Sequence, residues 1–261
     1  MNNIIDAELK KILSDKTSGS AHLLSHLNNY FLRKHDNKKL DGKIIPILKN
    51  NFKSFENIQK YLQQIDSLIR RGKLTQDFFL TNADQHLLNE KIFSNALPFL
   101  QKKNIILTIS NSRTVFELIK KLAHKNKKLE IIVCESRPKL EGRILASQLA
   151  KNRIKVSLIT ESMIARFVQK ADAVLIGADA ILRSGDVVNK VGSKTLAVLC
   201  KEFKKLFFVA ADKSKFSAKS KFQQKEEDRK EIWLNTPKGI SIKNFYFEVV
   251  PKSYITKIFT D

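Results

Sequence analysis

The residues best suited to chemistry in this chain each follow a short apolar run. Ser110-Asn111-Ser112-Arg113-Thr114 comes after Ile109, and Glu135-Ser136-Arg137 after Cys134. Thr160-Glu161 follows Ile159, Gly177-Ala178-Asp179 follows Ile176, and Ala211-Asp212-Lys213-Ser214-Lys215 follows Ala210. Small hydroxyls and arginines at helix starts suit phosphate oxygens, because free backbone N–H groups and the guanidinium fork converge on an anion there. An aspartate among them repels an anion unless it acts on a hydroxyl or moves a proton. Together they describe a site for a small, phosphorylated, hydroxyl-bearing ligand. Each member also has a purely structural use. Ser110 and Ser112 suit helix capping, Arg137 before Pro138 can pair with Glu135 or Glu161, and Asn189-Lys190 can close the hairpin that begins at Gly185.

The apolar runs themselves define the elements that carry these residues. Between Ile4 and about Lys102 apolar residues recur at helical spacing (Leu23, Leu27, Phe31; Ile58, Tyr61, Leu62, Ile65), so the first third is expected to be all helical. Ser20 and Thr75 suit N-caps there. After Lys103 the rhythm changes. Short runs at 104–109, 130–134, 154–159, 173–176 and 206–210 alternate with helix patterns at 112–124, 140–151, 162–169 and 193–204. Alternation of this kind predicts βαβ units and a parallel sheet covered on both faces, with ligands beyond the carboxyl ends of its strands. The expected architecture is α/β: a helical N-terminal domain, 1–103, and a Rossmann-like domain with a mainly parallel sheet, 104–261. Arg183-Ser184-Gly185-Asp186 reads as a hairpin tip. Residues 214–230, rich in Ser, Lys, Gln and Glu, read as a loop over a site or an exposed helix.

Composition narrows the class. With 43% hydrophobic and 28% charged residues the chain reads as soluble and globular, and no run approaches the length of a membrane span. The charged opening, MNNIIDAELKKILSDK, carries no export signal, so a cytoplasmic location is expected. Two cysteines make no disulfide framework, no Cys/His spacing resembles a metal site, and no cofactor is expected. A net charge of +22 ordinarily points to a polyanion. Here 38 of the 48 basic residues are lysine, spread along the whole chain without an arginine-rich or aromatic-interleaved motif, so no specific nucleic-acid recognition is expected.

The strings ESRPKLEGRILASQLAKNRIKVSLITESM (135–163) and KADAVLIGADAILRSGDVVNKVGSKTLAVLCKEFKKLFFVAADKSKF (170–216) resemble the family that unites the α, β and δ subunits of eukaryotic translation initiation factor 2B with sugar-phosphate isomerases acting on methylthioribose 1-phosphate and ribose 1,5-bisphosphate. FYFEVVPKSYITKIFTD (245–261) resembles the family's closing segment. The resemblance implies a ligand cleft between the two domains, a homodimer or an oligomer of related subunits through the C-terminal domain, and an initiation-factor partner.

In the isomerase branch a cysteine of a T-H-C motif and the aspartate of G-A-D move a proton between neighbouring sugar carbons. Asp179 matches the aspartate, but the cysteine position reads Ser110 within Thr108-Ile109-Ser110. A hydroxyl cannot act as base without a strong neighbouring one. The isomerases' R-G-A phosphate motif has Ser18-Gly19-Ser20 as its nearest counterpart, without the arginine. Ser112, Arg113, Thr114, Arg137, Asn189, Lys190 and Lys215 remain as ligand and phosphate positions, with Asp179 catalytic only if the chain is an isomerase. Cys134 and Cys200 are expected to be buried and structural. The combination resembles the regulatory-subunit branch more than the isomerases.

Overall fold

Asp6 opens the first helix: its carboxylate accepts the Leu9 N–H at 2.8 Å, and α1 (Ala7–Ser14) buries Leu9 and Ile12. The helices α2 (Ser20–Asp36), α3 (Ile44–Asn51), α4 (Glu56–Arg70) and α5 (Gln76–Ala83) follow. On α4 the apolar residues Ile58, Tyr61, Leu62 and Ile65 recur on one face and are buried with Leu27, Phe31, Leu48 and Phe79. A polar thread runs through this core, since Tyr61 donates to Asn28 Oδ1 at 2.8 Å and Asn28 Nδ2 donates to the Phe79 carbonyl at 2.9 Å. The structure, a computed structural model, describes residues 5–15, 20–37, 40–83 and 85–261, without the side chains at 21, 22, 56, 81–83 and 85–89. Ile4, Ser18, Gly19 and the Lys38-Lys39 pair therefore lie outside the described residues. Ser20 begins α2 and is buried.

Two compact units divide the chain, Met1–Leu88 and Asn89–Asp261. The division falls inside α6 (Gln85–Leu100), ahead of the change in rhythm at Lys103, because Ile92, Ala96 and Leu100 join the core of the second unit with Ile106, Phe208 and Phe259. Helical spacing alone does not say which core a helix serves.

In the second unit β1 (Ile105–Ile109), α7 (Arg113–Lys125), β2 (Glu130–Cys134), α8 (Glu141–Lys151), β3 (Lys155–Ile159), α9 (Ile164–Lys170) and β4 (Ala173–Ile176) alternate as expected. After the hairpin of β5 (Ala180–Ile181) and β6 (Val187–Lys190) come α10 (Ser193–Glu202), β7 (Leu206–Ala210), β8 (Phe247–Val250) and β9 (Lys257–Phe259). Among the described residues the main sheet has six strands in the order β3-β2-β1-β4-β7-β9, every adjacent pair parallel. Ile106, Ile131, Val133 and Leu175 pack one face with α6, α7 and α8; Leu107, Ile132, Val174 and Val209 pack the other with α9 and α10. The chain is therefore an α/β protein with a doubly wound parallel sheet whose strand order reverses between β1 and β4.

A second, antiparallel sheet of β5, β6 and β8 was not legible in advance, because β6 and β8 are short and far apart in sequence. The tip at 183–186 does turn the β5–β6 hairpin, with the Leu182 N–H on the Asp186 carbonyl at 2.8 Å and Gly185 at φ +86°. Residues 214–230 form no α-helix; single 3₁₀ turns at Lys213–Lys215 and Arg229–Glu231 interrupt an irregular path.

Candidate functional site

Every sequence-predicted site residue follows a strand of the second unit or lies on β6, and the strand-end loops are bonded to one another. Ser110 leaves β1 in the left-handed region at φ +70° and donates its N–H to Ser136 Oγ at 2.8 Å. Ser136, fully buried after β2, donates its hydroxyl to the Cys134 carbonyl at 3.0 Å and its N–H to Glu161 Oε1 at 2.7 Å. The ends of β1, β2 and β3 are thereby locked to one another. Ser110 caps no helix; Ser112 is the N-cap of α7, accepting from the Val115 N–H at 3.4 Å.

Across the switch point β4 comes close. A Cβ on Gly177 would sit 2.5 Å from Ser112 Oγ, so only glycine lets the loops after β1 and β4 touch. Gly142 is tighter still, since a Cβ there would meet the Cys134 carbonyl oxygen at 1.8 Å. Arg113 is exposed at the first turn of α7, with Thr114 beside it partly buried. These groups lie at a helix N-terminus, where an anion is favoured.

The loop after β4 carries Asp179, whose N–H bonds to the Val188 carbonyl on β6 at 2.9 Å. Lys190, at the end of β6, is 2% exposed, donates to Glu141 Oε1 at 2.8 Å and lies 4.9 Å from the centre of the Tyr246 ring. Glu141 Oε2 is buried with no hydrogen-bond partner. Burial pushes the Glu141 carboxyl above its ordinary value; Lys190 pulls it back in part, and the charge of Asp179 adds to the rise. Lys215, buried after β7, is held below its ordinary value by burial, against the pull of Asp179 and Asp212. Lys190, Lys215, Glu141 and Asp212 thus surround Asp179, two ammonium groups among three carboxyl groups.

Asn189 is buried and donates to Ser193 Oγ at 2.8 Å, bracing the start of α10. Arg137 is exposed and reaches the Ile232 carbonyl at 3.4 Å. Neither expected acid is its partner: Glu135 pairs with Arg143 at 2.8 Å, and Glu161 takes the Ser136 N–H. Sequence reasoning placed Ser136 among the strand-end hydroxyls but missed Glu141 and Tyr246. Tyr246 donates to Glu231, which also pairs with Lys139. Burial raises the Glu231 carboxyl, but those two bonds outweigh it and hold the group below its ordinary value. Neither Glu141 nor Tyr246 carried a local signal in the sequence; the contact of Gly142 with the Cys134 carbonyl, beside Glu141, exists only in the folded chain.

Both cysteines are buried as expected. Burial pushes the Cys134 thiol far up and the Cys200 thiol to about 12. Among the described residues no cluster of His, Cys, Asp and Glu could hold a metal ion, and no helix is long and apolar enough to cross a membrane.

The six-stranded parallel sheet, wound on both faces and with hydroxyl, arginine, lysine and aspartate groups at its switch point, defines a doubly wound α/β protein. The family is then specific: the chain belongs to the initiation factor 2 subunit family, whose model matches residues 43–261. It is 34% identical over 165 residues to the ribose 1,5-bisphosphate isomerase of Archaeoglobus fulgidus, covering 60% of this chain and 52% of that protein. It is 33% identical over 185 residues to the translation initiation factor eIF2B subunit alpha of Dictyostelium discoideum, covering 66% and 58%. The chain thus spans little more than half the length of these relatives. Among solved structures the fold is that of the Pyrococcus horikoshii OT3 translation initiation factor eIF-2B, with a TM-score of 0.77, 24% identity and coverage of 97% of this chain and 93% of that one. The 5-methylthioribose 1-phosphate isomerase of the same organism gives a TM-score of 0.81 at 22% identity, covering 96% and 81%.

Proposed function

We propose that this chain binds a phosphorylated sugar or nucleotide at the carboxyl edge of its six-stranded sheet and acts through protein association in translation initiation or its regulation, without turning the ligand over. The observation that carries this reading is Ser110. It stands where the isomerase branch has a thiol, its backbone is tied to Ser136, and both cysteines of the chain are buried with thiols that resist ionisation. Asp179 therefore lacks an ionisable thiol as its partner.

In this reading Arg113, Ser112, Thr114 and the free N–H groups of α7 receive the phosphate, with Arg137 on the neighbouring loop. Asp179 accepts a ligand hydroxyl, Lys190 and Lys215 supply positive charge, and Asn189 supports them by holding the start of α10. The protein works as a homodimer or with related subunits, and an initiation factor is its partner.

A second reading, an aldose–ketose isomerase of a ribose phosphate, is favoured by one observation: Glu141 is a buried carboxyl raised by burial, with the charge of Asp179 adding to the rise, so a group suited to holding a proton stands near Asp179. One experiment separates the two. In the binding reading ribose 1,5-bisphosphate or methylthioribose 1-phosphate raises the melting temperature, Arg113→Ala removes that rise, and no ketose forms. Ketose formation at a rate abolished by Asp179→Asn sinks the binding-only reading and establishes the isomerase.

A further inference from the structure

The lysines that look scattered in sequence gather at the edge of the sheet opposite the candidate site. Helices α6 to α10 return the chain to the amino ends of the strands, and the loops they enter each carry basic residues. Lys102 precedes β1, Lys128 β2, Arg153 β3, Lys170 β4 and Lys204 β7, all exposed. The loops adjoin one another: Glu130 donates its N–H to the Asn104 carbonyl at 2.7 Å, Asn126 Nδ2 donates to the Lys103 carbonyl at 3.0 Å, and Asp172 accepts the Asn104 and Ile105 N–H groups.

Acids offset this row only in part. Asp172 is exposed and accepts those backbone N–H groups, Glu130 is paired with Lys155 at 2.7 Å, and Glu202 is exposed at the end of α10, so two exposed carboxylates stand against the five basic residues. The carboxyl edge differs, with Glu135, Glu141, Glu161, Asp179 and Glu231 among its arginines and lysines. Helix dipoles favour cations in a last turn. They do not account for Lys102, Lys128, Arg153 and Lys204, which lie beyond the helix ends. Arg153 and Lys204 moreover occupy left-handed backbone, at φ +59° and +53°, where a helix end ordinarily takes glycine. Local stability argues for glycine there, and basic side chains stand instead.

We propose that the amino edge of the six-stranded sheet is a surface for the phosphodiester backbone of a nucleic acid, bound through charge and without regard to sequence. Five neighbouring strands spaced by about 4.8 Å place the row over about 19 Å, the reach of roughly five phosphates of one strand. Lysines without interleaved aromatics contact phosphates and do not read bases. An anionic membrane fits less well, because among the described residues the row is carried by loops and not by the apolar face of an amphipathic helix lying in the surface.

The test compares two variants of equal net charge. One carries Lys102→Gln, Lys128→Gln, Lys170→Gln and Lys204→Gln; the other carries Lys53→Gln, Lys73→Gln, Lys91→Gln and Lys238→Gln, exposed lysines elsewhere. Fluorescence anisotropy with a labelled single-stranded RNA is read from about 50 to 200 mM salt, after circular dichroism has established that both variants keep the wild-type fold. The wild type binds, the edge variant is weakened at least about tenfold with its log–log salt slope smaller by about 3, and the control changes less than about threefold. Equal weakening of the two variants, no binding of RNA by the wild type at about 50 mM salt, or an edge-dependent preference for phosphatidylserine vesicles over RNA overturns the proposal.

Discussion

Glu141 and Lys190 form a charge pair almost closed to water, so cutting it from either side has a calculable consequence. Lys190 is 2% and Glu141 14% exposed at the side chain, with Nζ and Oε1 2.8 Å apart. Glu141→Ala leaves the ammonium buried against the Tyr246 ring without its anion, which costs about 3–5 kcal/mol. At roughly 2–4 °C per kcal/mol for a unit of this size, the melting point falls by about 6–20 °C. Lys190→Met leaves the carboxyl, which can take up a proton. Because the folded Glu141 carboxyl lies above its ordinary value, the stability linked to its protonated form is present below pH 4.5 and lost as pH rises through the folded value. Removing Lys190 takes away the charge and hydrogen bond that hold the carboxyl down, so the folded value climbs further. The stability of Lys190→Met therefore falls more steeply above pH 4.5 than that of the wild type, while Glu141→Ala lacks this component. Urea unfolding is read by the single tryptophan, Trp233, which lies in the second unit. The double variant is expected to lose less than the sum of the singles by about 2 kcal/mol or more, since it removes both charges. Effects that add within about 0.5 kcal/mol, or a loss under about 1 kcal/mol for Glu141→Ala, refute the buried pair.

Other expectations are equally direct. Gly177→Ala drives a methyl into Ser112 and destabilises by about 1–3 kcal/mol, read as a lower urea midpoint with unchanged slope. Gly142→Ala, with its clash against a backbone oxygen, yields no soluble folded protein. Ser136→Ala strips the Ser110 N–H of its acceptor and costs about 1–3 kcal/mol; a value near zero means the loops after β1 and β2 are not joined there. Native protein left with iodoacetamide at pH 8 stays unlabelled at Cys134 and Cys200 by intact mass and takes up two labels in denaturant; prompt native labelling contradicts their burial.

The parallel sheet was legible because its signal is local. β2, β4 and β7 coincide with the apolar runs at 130–134, 173–176 and 206–210, and α7 follows from Val115, Leu118, Ile119 and Leu122 at helical spacing behind Ser112. The placement of the candidate residues was legible for a related reason: strand-end loops of an open parallel sheet converge, so the hydroxyls, Arg113 and Asp179 could be assigned to one edge from their positions alone. What escaped was pairing. Nothing local announces that Lys190 faces Glu141, that Tyr246 lies over Lys190, or that Glu161 rather than Arg137 holds the second loop.

By itself the sequence determined the layer architecture, the edge that gathers the candidate residues, and the serine at position 110, because each is written in neighbouring residues. Only the tertiary structure decided which charges neutralise one another and which stand free. Lysines separated by twenty or more positions along the chain become neighbours across strands about 4.8 Å apart, and a buried carboxyl chooses its ammonium by desolvation, which exists only once the chain has closed around both.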